Sequence, residues 1–138
     1  MKKCTSKILV LLLITSMEAN VLSHEGHNKL PGSIIAPHGG QIKGTDDLYI
    51  ELIHNSDNVQ IYITDHDFKP ILLNDIKIEG LIKYPKQMKS EKINFTTNQA
   101  KYFDAKINSK GSHRYTLEIK TKYKNKTDTI NYNLEPQD

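Results

Sequence analysis

The sequence holds a single cysteine, Cys4, and it stands before the first apolar run. A chain that loses that region on export keeps none. Disulfides and thiolate metal sites are then excluded, so any metal must be held by His, Asp, Glu or backbone groups. Arginine is almost missing as well: Arg114 is the only one, and the rest of the positive charge is lysine. No basic stripe with interleaved aromatics occurs, which argues against nucleic-acid binding. Nothing matches a Ser-His-Asp order, a phosphate-binding glycine loop or a carboxylate pair placed for glycoside cleavage. The chain has no internal repeat and no apolar run of the roughly 20 residues that a membrane span needs.

The apolar run that is present, "ILVLLLI" from Ile8 to Ile14, follows Lys2 and Lys3 and precedes Val21-Leu22-Ser23. That is the pattern of a secretory signal peptide cleaved after Ser23. It predicts a periplasmic or secreted bacterial protein with no membrane span after processing. Cys4 precedes the run, so it is not placed for lipidation. The formal charge of the whole chain is +3. Loss of Lys2, Lys3, Lys7 and Glu18 leaves the processed chain close to neutral.

Residues 24–37, "HEGHNKLPGSIIAP", have no clear period and read as a flexible histidine-containing tail that docks around Ile34 and Ile35. Residues 38–138 read as one domain. Within it, "DLYIELIH" and "NVQIYIT" alternate apolar and polar residues with a period of two, the signature of half-buried strands. "NSDN" between them is turn chemistry, so they form a hairpin. Pairing Leu52 with Ile61 and Ile50 with Ile63 puts both apolar rows on one face. It sets Glu51 opposite Tyr62, pointing away from the core, and brings Asp47 near His66. A slip of one residue would place Gln60 and Tyr62 among the leucines.

Further short strands are expected in "ILLNDIKIEGLIKY" (broken near Asn74-Asp75), "KINFTT", "KYFDAKI", "RYTLEIK" and "DTINYNL". "NSKGS" at 108–112 and "KYKNKTD" at 122–128 read as hairpin turns. Short strands with no helical segment predict an all-β fold, an immunoglobulin-like or Greek-key β-sandwich of about seven strands.

The histidines carry the chemistry: His24, His27, His38, His54, His66 and His113. Neutral imidazole binds zinc, copper, nickel and cobalt, and carboxylates complete such sites. In "DHD", Asp65 and Asp67 flank His66 and could give one oxygen ligand and one acceptor for the ring N–H; the competing reading is a polar turn. In "PHGG", the glycines allow backbone to approach a ligand or another strand. "HEGH" is not the zinc-protease motif, which needs histidines at i and i+4 on a helix. Cleavage after Ser23 would make His24 the first residue, with its amine and ring nitrogen able to chelate one copper ion. His54 has core-face parity and reads as a partly buried histidine with no ligand role, and His113 as a solvated one.

Taken together, "HEGH…APHGGQI…LYIELIH…NVQIYITDHDFKPI" resembles a group of small bacterial periplasmic proteins. Related segments of that group occur fused to adaptor (membrane-fusion) subunits of heavy-metal efflux pumps. The likeness spans roughly residues 24–82 and rests on "PHGG" and "DHDxKP" in order. It implies binding or handling of copper, zinc, nickel or cobalt in the periplasm, with His38, Glu51 and His66 as the ligands by position. Two residues depart from the pattern: Tyr49 stands where the group often has a histidine, and Phe68 where it has a turn glycine. A phenol is a poor ligand for zinc or copper(II) at neutral pH.

The reading that follows is a secreted, non-enzymatic protein binding a transition metal, copper or zinc, through His38, Glu51, His66, His24, His27, Asp65 and Asp67. It would serve as a metal buffer, a chaperone or an accessory of an efflux adaptor. The rival is an immunoglobulin-like interaction module docking an envelope partner, with the histidines incidental. A metal hydrolase would need three protein ligands, an open position and a base in a cleft.

Overall fold

The computed structural model describes residues 34–85 and 90–136. The segment read as a signal peptide, His24 and His27 lie outside the described residues. Among the described residues the alternating segments form nine strands: β1 (Gln41–Gly44), β2 (Tyr49–Asn55), β3 (Asn58–Thr64), β4 (Lys77–Lys83), β5 (Ser90–Ile93), β6 (Thr96–Asn98), β7 (Tyr102–Lys106), β8 (Tyr115–Tyr123) and β9 (Lys126–Leu134). One 3-10 turn, Leu73–Asp75, interrupts the path from β3 to β4, at the break expected near Asn74-Asp75.

Two antiparallel sheets result. The first has the order β1-β2-β3-β7-β6 and the second β5-β4-β8-β9. The chain changes sheet between β3 and β4, between β5 and β6, and between β7 and β8. Apart from β1, the arrangement is the immunoglobulin type, with an extra edge strand, β5, beside the three-stranded sheet of that fold. The β2–β3 hairpin has the expected register: Ile50 pairs with Ile63, Glu51 with Tyr62 and Leu52 with Ile61. Ile50, Leu52, Val59, Ile61 and Ile63 are buried between the sheets, facing a second layer that includes Tyr115, Leu117, Ile119, Ile130, Tyr132 and Leu134. Burying each such apolar side chain contributes roughly 1.5–3 kcal/mol.

Two expectations need correction. "KINFTT" is not one strand. It divides into β5 and β6, and the chain passes from one sheet to the other at Asn94-Phe95. Ile93 and Phe95 both stay packed on the core across this passage. "NSKGS" is not a hairpin turn either. It has turn chemistry, with Lys110 and Gly111 at positive φ and the Ser112 N–H bonded to the Ser109 carbonyl. Yet it joins β7 to β8, which lie in different sheets. β7 already has β3 on one side and β6 on the other, so it offers no edge to the strand that follows.

The sheets are tied at their β1 and β9 edges. The Tyr132 hydroxyl crosses the core to donate to the Ile50 carbonyl at 2.7 Å, and the Lys43 ammonium donates to the Asn131 carbonyl at 2.6 Å. Burial pushes the Tyr132 phenol well above its ordinary pKa, keeping it a neutral donor.

Candidate functional site

β2 turns Tyr49, Glu51 and Ile53 toward the outer face of the first sheet. Parity alone would leave Glu51 in water, yet it is 3% exposed. The cover is the "PHGG" segment, which folds back over β2 and is held there by the carboxylate. Glu51 Oε1 accepts the backbone N–H of His38 at 2.8 Å and that of Gly40 at 2.9 Å. Oε2 accepts from His38 Nδ1 at 2.9 Å.

Both glycines are needed for this. Gly39 sits at φ +78 in a turn closed by its N–H on the Ala36 carbonyl at 3.1 Å. Gly40 lies so close to β2 that a β-carbon there would overlap the Leu52 carbonyl oxygen. Ile35 is 87% exposed and Ile34 half-buried, so of the two isoleucines expected to dock the segment Ile35 does not. The segment docks through backbone N–H groups and one imidazole.

The His38 ring lies flat on Tyr62, with centroids 3.8 Å apart and planes at 15°. Tyr102 meets the other member of this stack at 5.0 Å. Burial, then the neighbouring Tyr102 and Glu51, raise the Tyr62 pKa, so the stacked ring stays neutral. The His38 side chain remains 42% exposed. With Nδ1–H committed to the carboxylate, the neutral ring carries its lone pair on Nε2, which has no hydrogen-bond partner among the described residues.

His66 is held elsewhere. Its Nε2 donates to the Thr45 carbonyl at 3.1 Å, and its ring lies against Tyr49 at 4.7 Å. Tyr49 and Glu51 are one outward step apart on β2, roughly 7 Å along the strand. The two clusters therefore neighbour each other on one face without sharing a ligand set. Asp47 senses His66, as the hairpin register implied, although its carboxyl is held below the usual range chiefly by a hydrogen bond from Lys126. Tyr49 also stacks on Phe68 at 5.1 Å, and Phe68 has φ 61, a conformation that glycine adopts at no cost. The two departures from the expected motif thus touch each other.

The aspartates of "DHD" shape their own loop. Asp65 Oδ1 accepts the N–H groups of Asp67 and Lys69, each at 2.9 Å, and Asp67 reaches the Lys69 ammonium at 3.5 Å. Among the described residues no group of three or more His, Cys, Asp or Glu side chains stands ready to hold a metal. His54 is partly buried against Tyr115, whose hydroxyl lies 3.0 Å from Nε2, and His113 is exposed. Sequence reasoning missed the Tyr62 platform under His38. The register that sets Tyr62 opposite Glu51 was the available signal.

No protein-family profile matches the chain, and no curated protein matches it. In fold, the chain is similar to a DUF4426 family protein from Pseudomonas aeruginosa PAO1, known from a crystal structure. The TM-score is 0.52 at 19% identity, over 71% of this chain and 99% of that one. At that identity the likeness concerns the β-sandwich and not its sites.

Proposed function

We propose that the chain is an exported, non-enzymatic protein that binds copper or zinc, with His38 as the anchoring ligand. The observation that carries this reading is the His38–Glu51 pair. A buried carboxylate on Nδ1 orients the imidazole and leaves the Nε2 lone pair facing outward, as the outer partners of metal-bound histidines do. The donor set fits a transition metal only in part. One oriented imidazole is one ligand, and the further donors would be His24 and His27 upstream. His66, through its remaining ring nitrogen, and the Asp65 and Asp67 loop are the other sources. Bound metal would be buffered or passed on, in the periplasm, to a partner such as an efflux adaptor.

Equilibrium dialysis of the processed chain against Cu(II) and Zn(II) at neutral pH tests this. Retention should exceed that of a His-free β-sandwich control and fall below about pH 6, as imidazoles protonate. His38→Ala should cut it, and His113→Ala should leave it unchanged. Equal losses from both would mean unspecific surface binding.

A second reading rests on a different observation. Phe68 is 38% exposed and Leu72 75% exposed on the segment between β3 and β4. Two apolar side chains presented this way suit an interaction module that docks an envelope partner. Absence of metal retention would favour it.

A further inference from the structure

The outer face of the second sheet differs in kind from that of the first. Its exposed row on β4 includes Lys77, Glu79 and Lys83, and β8 adds Lys120 and Lys122 beside the partly covered Glu118. The register sets Lys77 directly opposite Lys122, with Glu79 opposite Lys120 on the next outward pair. On the other flank Lys92 of β5 stands across from Leu81. The outward residues of β9, such as Thr127 and Thr129, are neutral. Lys83 is paired with Glu118 at 2.5 Å. Among the described residues, Lys77, Lys92, Lys120 and Lys122 have no carboxylate at ion-pair distance.

Like charges directly across an antiparallel pair destabilise the sheet. Here a lysine pair of this kind lies on the two central strands, and two further unpaired lysines share its face. Glu79 offsets Lys120 across the strands, but the Lys77–Lys122 pair gains the fold nothing by itself, and an anionic partner would relieve it.

We infer that the β4–β8 face docks on the phosphate-bearing headgroups of an anionic membrane surface. Four features select that partner. The lysines project from a broad, open sheet face, which matches an extended planar surface better than a single peptide. They are lysines and not arginines, hence point charges suited to a diffuse array of phosphates and not to bidentate capture of one. No aromatic ring stands among them to stack a nucleic-acid base. Juxtamembrane lysines each add a small, salt-screened attraction to anionic lipid, and several together give reversible binding. Docking by this face would leave the His38 cluster, on the opposite outer face, turned away from the bilayer. The inference does not depend on the metal reading.

The test is co-sedimentation of the protein, as recovered from the producing cells, with phosphatidylcholine vesicles containing or lacking phosphatidylglycerol. Binding should occur with the anionic vesicles alone at low ionic strength, and weaken steeply toward physiological salt. Lys77→Gln, Lys120→Gln and Lys122→Gln should each weaken it about fivefold, from the attraction of one lysine near such a surface. The triple variant should abolish it and should unfold at no lower a temperature than the parent, because a like-charge pair has gone. A control of equal charge, with Lys69, Lys101 and Lys106 changed to glutamine, should retain most of the binding. The inference is overturned if anionic vesicles do not pull the protein down, or if the control loses as much as the triple variant. It is also overturned if inorganic phosphate at millimolar concentration displaces the vesicles, which would mark a site for a free anion instead.

Discussion

Replacing Glu51 by glutamine keeps the shape of the side chain and removes its charge. The amide oxygen can still accept from the His38 and Gly40 N–H groups, now 2.8 and 2.9 Å from a carboxylate oxygen. Those bonds lose their ionic character. Bonds to charged groups contribute about 1.5–3 kcal/mol and neutral ones about 0.5–1.5, so two of them lose roughly 2 kcal/mol. Relief from burying a charge offsets part of this. A net destabilisation of about 1–2 kcal/mol is expected in urea unfolding. Glu51→Ala leaves no acceptor at all and should lose about 2–4 kcal/mol. That loss is limited because a segment whose histidine is 42% exposed can lift off and be solvated. The glutamine variant has a second consequence. Its NH2 group would face His38 Nδ1, which favours the ring tautomer with its proton on Nε2. The outward nitrogen then becomes a donor, and metal retention should fall even where the segment stays docked. Amide exchange gives the local readout: the His38 and Gly40 amides should be protected in the parent and unprotected in Glu51→Ala, with Ile61 unchanged in both. Unfolding midpoints equal to the parent's in both variants, with His38 and Gly40 amides unprotected in the parent, would refute the reasoning.

Gly40→Ala should destabilise the protein by about 1–3 kcal/mol, because its β-carbon would meet the Leu52 backbone and an overpacked site must shift; an unchanged melting temperature would show that the segment does not press on β2. Tyr132→Phe should cost about 1–2 kcal/mol by leaving the Ile50 carbonyl without its donor, read from chemical denaturation with an unchanged slope. For His54, burial lowers the ring pKa in the folded chain. The unfolded chain therefore binds the extra proton first as pH falls below about 6.5. Stability held at neutral pH should decline from there down to the folded pKa, and His54→Gln should lessen that decline. A variant whose acid sensitivity matches the parent's would assign the effect to other groups.

The parts of the fold that were legible are those in which local chemistry and the two-residue period agree. "NSDN" and its flanking rows specified the β2–β3 register pair by pair. "KYKNKTD" marked the turn that joins β8 to β9, where Lys124 and Asn125 both take positive φ between the paired Tyr123 and Lys126. "NSKGS" has equally good turn chemistry yet joins strands of different sheets, since a turn says that the chain reverses and not which sheet it enters. Glu51 shows the same limit at the site. Its outward parity was right, but its burial depends on a segment eleven residues upstream that carries no strand period. The aspartates of "DHD" have two uses, as ligands and as caps, and only coordinates could show the oxygen of Asp65 committed to its own loop.

The bond from Tyr132 to the Ile50 carbonyl joins residues 82 positions apart, and the one from Lys43 to Asn131 spans 88. This has a bearing on timing. A chain entering its folding compartment from the N-terminus can form β1, β2 and β3 early, but the apolar row of that sheet stays uncovered until the second sheet assembles. The strand that fastens the two edges is the last to arrive. Closure across so long a separation is intrinsically slow, and uncovered apolar strands are prone to aggregate in the interval. On the export proposed above, the same delay would keep the chain open while it is threaded, and the fold would be sealed only once β9 had crossed.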